Sequence, residues 1–347
     1  MATIYEVSEL AGVSLATVSR VMNGGTQVSE KTREKVTKAM AALNYRPNSI
    51  ARSLASNCSN SVGILVSELH GPIYGAMMSG IEKQLRTAGK HVIIAAGHSD
   101  EASEKDGIEF LIDRSCDALI LHVEAVSDEY LIELAKTDHS FILINRHIAQ
   151  ISENCISLDN RQGGYIATKA LLEHGHRNIA YISGPLWKID AKDRYLGHQQ
   201  ALAEFGLTCN EQLLFEGTFQ EEAGSEGMTV LLNKHLPFSA VVCANDETAA
   251  GAMHAARDQG LNIPDDISIM GFDNVILANY VYPKLCTINY PVWEMGSMAA
   301  SWILKNIYKT KQQDTVHVFQ PELVWRDSVK TLSAASAELR HQSGDPD

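Results

Sequence analysis

The 347-residue chain has no run of about eighteen apolar residues, so no segment reads as a membrane-spanning helix. It opens Met-Ala-Thr-Ile-Tyr-Glu, with no basic head followed by an apolar stretch, and the expectation is a cytoplasmic protein without a signal peptide. Its six cysteines, at 58, 116, 155, 209, 243 and 286, form no CxxC pair and no tight cluster. That spacing argues against a disulfide framework or a thiolate metal site and for reduced, mostly buried thiols. Also missing are a Walker loop, a GxGxxG after a strand and an HExxH, and the histidines show no metal-ligand spacing. Nucleotide-dependent and metal-dependent catalysis are thereby disfavoured, and no cofactor or metal is expected. A glycosidase would need a paired set of carboxylates, and nothing pairs Asp246 with Asp273 in that way.

What is present is an uneven charge. The chain carries −13 in total, yet residues 1–60 hold seven Lys or Arg and four acids, leaving the head at +3 and the remainder at −16. A basic module on an acidic body can bind DNA, because phosphate contacts follow local potential. The first sixty residues have a matching pattern. A helix is predicted over residues 3–11, with Thr3 as N-cap, Glu6 as capping-box partner and Val7, Leu10 and Ala11 as an apolar stripe. Gly12 ends it, Val13 is expected to be buried in the turn, and Ser14 caps a second helix over 15–22. A third helix follows Ser29 and runs to about Leu43.

Two short helices joined by a tight turn and backed by a third form a helix-turn-helix, whose second helix enters the major groove of double-stranded DNA. Ser14, Leu15, Ala16, Thr17, Ser19, Arg20 and Asn23 are the candidate DNA-binding residues there. Leu15 and Ala16 suit thymine methyls or simple packing, and the hydroxyls of Thr17 and Ser19 suit phosphates. Arg20 is the one long donor on that helix, fit for a guanine or a phosphate. Beyond the bundle, Pro47 and Asn48 precede a short helix over 49–56, too short to stand alone. Asn48 and Arg52 are further DNA-binding candidates, and Leu54 is expected to wedge into a minor groove.

From Val62 the character changes to strands of near-continuous apolar residues separated by helices. Strands are predicted over 62–66, 91–96, 117–122 and 140–144, with helices over 74–88, 101–114 and 127–136. After Asp159 the rhythm restarts, with helices over 161–174, 191–205, 221–233 and 246–259 alternating with strands over 179–182, 213–215, 240–243 and 268–272. The fold class is therefore a three-helix helix-turn-helix head with a hinge helix, on an α/β body of two parallel-sheet subdomains. The expected divisions are 1–46 for the head, 47–61 for the hinge, 62–332 for the body and 333–347 for a flexible polar tail. Within the body one subdomain spans about 62–160 plus 291–319, the other about 161–290 plus 320–332.

Ligands of such sheets sit beyond the carboxyl ends of the strands, here in a cleft between two subdomains. Asn145, Arg146, Arg194, Asn245 and Asp273 lie at those ends. Together they can bond the vicinal hydroxyls of a sugar, with Ile73, Tyr74 and Trp187 stacking on its apolar face. Asp159, before the second run of helices and strands, is a ninth ligand-binding candidate, and Arg146 has a second reading, as a brace for Asp159 or another cleft acid.

The motifs Val7-Ser8-Glu9-Leu10-Ala11-Gly12-Val13-Ser14, Ala16-Thr17-Val18-Ser19-Arg20-Val21, Tyr45-Arg46-Pro47-Asn48, Asn245-Asp246 and Gly271-Phe272-Asp273 occur in that order. With them the chain resembles the LacI/GalR family of bacterial repressors across residues 2–332. The resemblance implies a periplasmic-binding-protein-like body, a homodimer on a palindromic operator, and control by a small sugar effector that releases the DNA. It assigns base reading to Leu15, Ala16 and Arg20, intercalation to Leu54, and sugar binding to Arg194, Asn245 and Asp273. Ile73 and Tyr74 stand where the family usually has two phenylalanines. Segments such as Leu323-Val324-Trp325-Arg326-Asp327 resemble galactose-responsive members of the family, whereas Ala223-Gly224-Ser225-Glu226-Gly227 resembles a β-glucoside-responsive one, and the resemblance implies a galactose-like effector first and a β-glucoside second. Lys188 and Asp190 replace an arginine and a threonine that purine-responsive members keep, which argues against a purine. The tail lacks a leucine heptad, so assembly is expected to stop at the dimer. Other readings are a sugar-binding protein without DNA function and a head that binds another protein.

Overall fold

A computed structural model describes residues 2–22, 28–46 and 58–332. The predicted hinge helix, the tail, and the candidates Asn23, Asn48, Arg52 and Leu54 lie outside the described residues. The chain divides into two compact units between Asn60 and Ser61.

The first unit is a three-helix bundle: α1 (Ile4–Ala11), α2 (Leu15–Met22) and α3 (Glu30–Ala42). Its boundaries are written in its caps. Thr3 and Glu6 form a reciprocal capping box, and Gly12 ends α1 at φ 62°, a left-handed conformation that glycine adopts without strain. The Ser14 hydroxyl accepts from the Thr17 amide at 3.2 Å, and Ser29 caps α3 in the same way. Val7, Val18 and Val36, one from each helix, are fully buried at the centre. Leu10 departs from expectation and is 57 % exposed. Ile4, Val7 and Ala11 share the inward face at helical spacing, and position 10 falls about a quarter turn away. Val13 is half-buried rather than buried.

The second unit consists of two α/β lobes. The N-terminal lobe holds β1 (Ser61–Val66), β2 (His91–Ala96), β3 (Ala118–Leu121), β4 (Phe141–Ile144), β5 (Cys155–Leu158) and β11 (Val318–Phe319). They form one parallel sheet in the order β11-β5-β4-β3-β1-β2. Both faces are covered over β1, β3, β4 and β5, which is why those strands are apolar at consecutive positions, whereas the edge strand β2 is half-buried to exposed. Ile64, Ile120 and Ile142 meet α4 (Pro72–Thr87) and α12 (Val292–Asn306) on one face. Leu65, Leu119 and Phe141 meet α5 (Glu101–Asp113) and α6 (Asp128–Leu134) on the other.

The C-terminal lobe repeats the plan with β6 (Ile179–Ser183), β7 (Leu214–Glu216), β8 (Ala240–Cys243) and β9 (Ser268–Met270), parallel in the order β7-β6-β8-β9. Its helices are α7 (Asn160–Glu173), α8 (Ile189–Glu204), α9 (Glu221–Asn233), α10 (Asp246–Asp258) and the short α11 (Leu277–Tyr280). An antiparallel pair, β10 (Thr287–Asn289) with β12 (Glu322–Val324), lies alongside and bridges to the segment after β9 at Asp273. The chain therefore crosses between lobes three times: after β5, after β10 and between β11 and β12. β5, α12 and β10–β12 are additional to the predicted elements.

Three helix pairs cross backbone to backbone on reciprocal glycines. An added Cβ at Gly164 would lie 1.9 Å from the Arg194 carbonyl oxygen, and one at Gly197 would lie 2.0 Å from that of Arg161. Gly224 and Gly251 serve α9 and α10 likewise, as do Gly80 and Gly296 for α4 and α12. No helix among the described residues is long and apolar enough to cross a membrane.

Candidate functional site

A cavity of about 310 Å³ opens between the two lobes, at the carboxyl ends of their strands. Six of the nine sequence candidates for the ligand line it: Ile73, Tyr74, Asn145, Arg194, Asn245 and Asp273. Arg194, on the first turns of α8, is 3 % exposed. Its Nε donates to Asn160 Oδ1 at 2.9 Å, and one terminal nitrogen donates to the Ala244 carbonyl at 2.7 Å and faces Asp273 Oδ1 at 3.5 Å. The guanidinium lies 3.7 Å from the Phe272 ring centroid. That side chain is held on three sides before any ligand arrives, so it is a preorganised donor.

Asp273 sits at φ 106° and is held between β10 neighbours: its amide donates to Ile288 and its carbonyl accepts from Tyr290. Burial pushes its carboxyl well above the usual range, opposed by Arg194 and reinforced by Asp246 and Asp190. Asn145 and Phe219, also lining, sit at φ 62° and 72°. Non-glycine residues in this region carry strain that the surrounding fold must hold, and such strain gathers at ligand sites.

Asn145 and Asn245 have their amides partly engaged within the protein. Asn145 donates to Asp190 Oδ2 at 3.2 Å across the cleft and accepts from Asn160 at 3.2 Å. Asn245 caps α10 by accepting from the Thr248 amide at 2.9 Å and donates to the Phe219 carbonyl at 2.9 Å. Tyr74 stands edge-on to His122, with ring centroids 5.5 Å apart. Tyr290, 5 % exposed, lines the cavity with a buried hydroxyl that has no partner among the described residues. A buried hydroxyl left so is costly, and on a residue that lines a cavity it is within reach of a partner that a ligand supplies.

Three candidates lie elsewhere. Trp187 is 57 % exposed and does not line the cavity; Phe219 is the lobe's aromatic there instead. Arg146 turns to Asp128, at 2.6 Å, away from the cavity. Asp159 is the N-cap of α7, accepting from the Gln162 amide at 2.9 Å, so Arg146 does not brace it. Glu124, Phe219, Glu247 and Tyr290 line the cavity without having been among the sequence candidates, and Lys188 and Asp190, read from the sequence only as replacements at purine-contacting positions, line it too. The loops before α9 and α12 follow strands, so strand-end position was the available signal for Phe219 and Tyr290.

Asp246 is wholly buried beside the site and braces it, accepting from Thr287 Oγ1 at 2.5 Å and the Val275 amide at 2.8 Å. Among the described residues no group of His, Cys, Asp and Glu has an arrangement that could hold a metal ion.

On the head, Ser14, Ala16 and Arg20 are exposed, and Leu15, Thr17 and Ser19 are half-buried. The Ser14 and Thr17 hydroxyls bond each other at 2.9 Å at the start of α2. One helix thus presents small residues at its N-terminus and a long cation near its end, without acids in its first turn.

Comparison with known proteins agrees with both units. Residues 3–48 match the family model for bacterial regulatory proteins of the lacI family, and residues 168–329 match that for a periplasmic binding protein-like domain. The HTH-type transcriptional regulator GalR of Escherichia coli K12 is 40 % identical over 333 residues, covering 96 % of this chain and 97 % of that protein. The ribose operon repressor of Haemophilus influenzae is 35 % identical over 332 residues, covering 96 % and 100 %. Among solved structures, the lac repressor dimer bound to operator and the anti-inducer ONPF superimposes with a TM-score of 0.84 at 28 % identity, covering 95 % of this chain and 99 % of that one. The cellobiose complex of the transcriptional regulator CelR gives 0.69 at 28 % identity, covering 94 % and 100 %.

Proposed function

Because the chain belongs to the LacI/GalR family of bacterial transcription regulators, we propose that it is a cytoplasmic, homodimeric repressor of a sugar-catabolic operon, released from a palindromic operator by a small sugar. The observation that carries this is the Arg194–Asp273 pair, preorganised in an interlobe cavity on a chain that also bears an exposed recognition helix. Arg194, Asp273, Asn145 and Asn245 are assigned to sugar hydroxyls, Tyr74, Ile73 and Phe219 to the apolar face. Ser14, Leu15, Ala16, Thr17, Ser19 and Arg20 are assigned to the operator, together with Asn23, Asn48, Arg52 and Leu54.

A galactose-like sugar is the first choice of effector, supported by 40 % identity to GalR. A β-glucoside is the second, supported by likeness to the cellobiose complex of CelR. Exposed apolar side chains at Ile94 and Phe110 on one lobe and at Ile276, Tyr280 and Tyr282 on the other provide surfaces for a second copy. The sugar releases DNA by binding the weakly DNA-binding arrangement of the lobes more tightly than the other; equal affinity for both would shift nothing.

The test is binding to a palindromic operator fragment at several salt concentrations while D-galactose, cellobiose or salicin is titrated. Release by D-galactose alone assigns galactose control. Release only by a β-glucoside moves the assignment to that branch. Absence of salt-dependent DNA binding favours a sugar-binding protein without DNA function.

A further inference from the structure

The cavity holds more carboxylates than cations. Glu68, Glu124, Asp190, Glu247 and Asp273 line it, against Lys188 and Arg194 as its lysine and arginine among the described residues, with His70 and His122 as its imidazoles. Arg194 already faces Asp273 and is fixed by two further acceptors. Lys188 is therefore the side chain an anionic ligand would seek. It is a flexible point charge at the start of α8 on the C-terminal lobe.

Lys188 is instead drawn across the cleft. Its Nζ donates to Glu124 Oε2 at 2.6 Å and to Ser99 Oγ at 3.1 Å, both in loops of the N-terminal lobe. The Ser99 hydroxyl donates in turn to the same Glu124 oxygen, closing a three-membered cluster. The side chains of Lys188 and Glu124 are only 14 % and 12 % exposed. Burial alone would raise the Glu124 pKa, but His122, Lys188 and the bonds from Lys188 and Ser99 outweigh it and leave the carboxyl below its usual range.

We propose that Glu124 is a specificity-determining residue: by holding the Lys188 ammonium across the cleft it denies a cation to anionic ligands, so the site admits uncharged sugars and rejects sugar acids. The inference rests on reading this cavity as the sugar site. With Lys188 neutralised, an incoming carboxylate meets Asp190, Glu247 and Glu68 and no unpaired lysine. A charge buried without a partner is strongly disfavoured, whereas a hydroxyl-rich neutral ligand can donate to those same carboxylates.

Isothermal titration of the full-length protein tests this with two neutral sugars, D-galactose and cellobiose, and two sugar acids, D-galacturonate and D-glucuronate. The wild type binds a neutral sugar and rejects the acids by about 100-fold or more. Glu124→Gln keeps shape and a hydrogen-bond acceptor but frees the Lys188 charge, so that selectivity falls by about tenfold or more. Glu124→Gln/Lys188→Gln restores rejection. Ser99→Ala, the milder variant, moves selectivity part-way and keeps the test available if Glu124→Gln does not fold. Selectivity is a ratio, so a general loss of folded protein cancels from it. Unchanged selectivity in both Glu124→Gln and Ser99→Ala overturns the inference, as does a double variant that admits sugar acids as readily as Glu124→Gln. A wild type that takes a sugar acid as tightly as its neutral counterpart also overturns it. A wild type that binds neither set overturns the sugar reading itself, and this inference with it.

Discussion

Asp246→Asn should change how the body's stability depends on pH. Asp246 is fully buried at the start of α10, and burial pushes its pKa from 3.8 up to about 7 against the hydrogen bonds from Thr287 and Val275 and the charge of Arg326. Between those two values the native protein keeps a proton that the unfolded chain has released. Stability therefore falls as pH rises through this window and levels off above it. A shift of about three pKa units at about 1.4 kcal/mol each makes the full penalty about 4 kcal/mol, of which about 3 kcal/mol accrues between pH 5 and pH 8. Asparagine cannot ionise, but its NH2 carries two hydrogens where the protonated acid carries one, so one more donor must be placed against the Thr287 hydroxyl and the Val275 amide, a pH-independent cost of about 1–3 kcal/mol. The variant should be less stable than wild type at pH 5 and close the gap, or overtake, by pH 8. Urea unfolding followed by tryptophan fluorescence reads this, because all four tryptophans (187, 293, 302 and 325) lie in the body. Asp273 titrates in both proteins; the variant removes the Asp246 charge that helps to raise the Asp273 pKa, which narrows the gap at high pH in the same direction. A gap that stays constant from pH 5 to pH 8 would refute the reasoning.

Three other outcomes are expected. Gly164→Ala puts a Cβ 1.9 Å from the Arg194 carbonyl oxygen, forcing α7 and α8 apart; thermal unfolding should show a loss of about 2 kcal/mol or more. Tyr290→Phe deletes a hydroxyl with no partner among the described residues, so the sugar-free protein should be as stable as wild type or more so, while calorimetry shows sugar affinity down about tenfold. Arg20→Ala should weaken operator binding by about 1–3 kcal/mol in fluorescence anisotropy, and a phosphate role would also lower the salt slope by about one.

Local chemistry was the legible part of the chain. The three head helices follow from Thr3, Gly12, Ser14 and Ser29, because a cap is decided by residues within a turn of it. The buried strands were legible as apolar runs, since a sheet covered on both faces needs apolar side chains at every position. Cys155–Leu158 was missed because the short Cys-Ile-Ser-Leu stretch is a strand only through its partners β4 and β11. The helix at Val292–Asn306 had a signal, Met295, Ala299 and Ile303 at intervals of four, but it falls outside the strand–helix alternation that guided the reading. At the site, strand-end position drew together Arg194, Asn145, Asn245 and Asp273, which line one cavity. Trp187, Arg146 and Asp159 do not line it: the first two are turned elsewhere by side-chain packing, and Asp159 caps α7. The Lys188–Glu124 pair, 64 residues apart and on different lobes, has no local signature at all.

The three passages of the chain between the lobes bear on how the protein emerges from the ribosome. The head's core is closed once Tyr45 has been made. The N-terminal lobe cannot close after its own five strands, because one face of its sheet waits for Met295, Ala299 and Ile303 and its edge waits for Val318 and Phe319. Throughout translation of the second lobe, the nascent first lobe therefore exposes the apolar surface of β3, β4 and α4 that this helix later covers. Exposed surface of this kind recruits chaperones or aggregates. Synthesis of this protein should accordingly depend on such helpers far more in its body than in its head, and a message truncated before residue 292 should yield a folded head on an unfinished, protease-sensitive lobe.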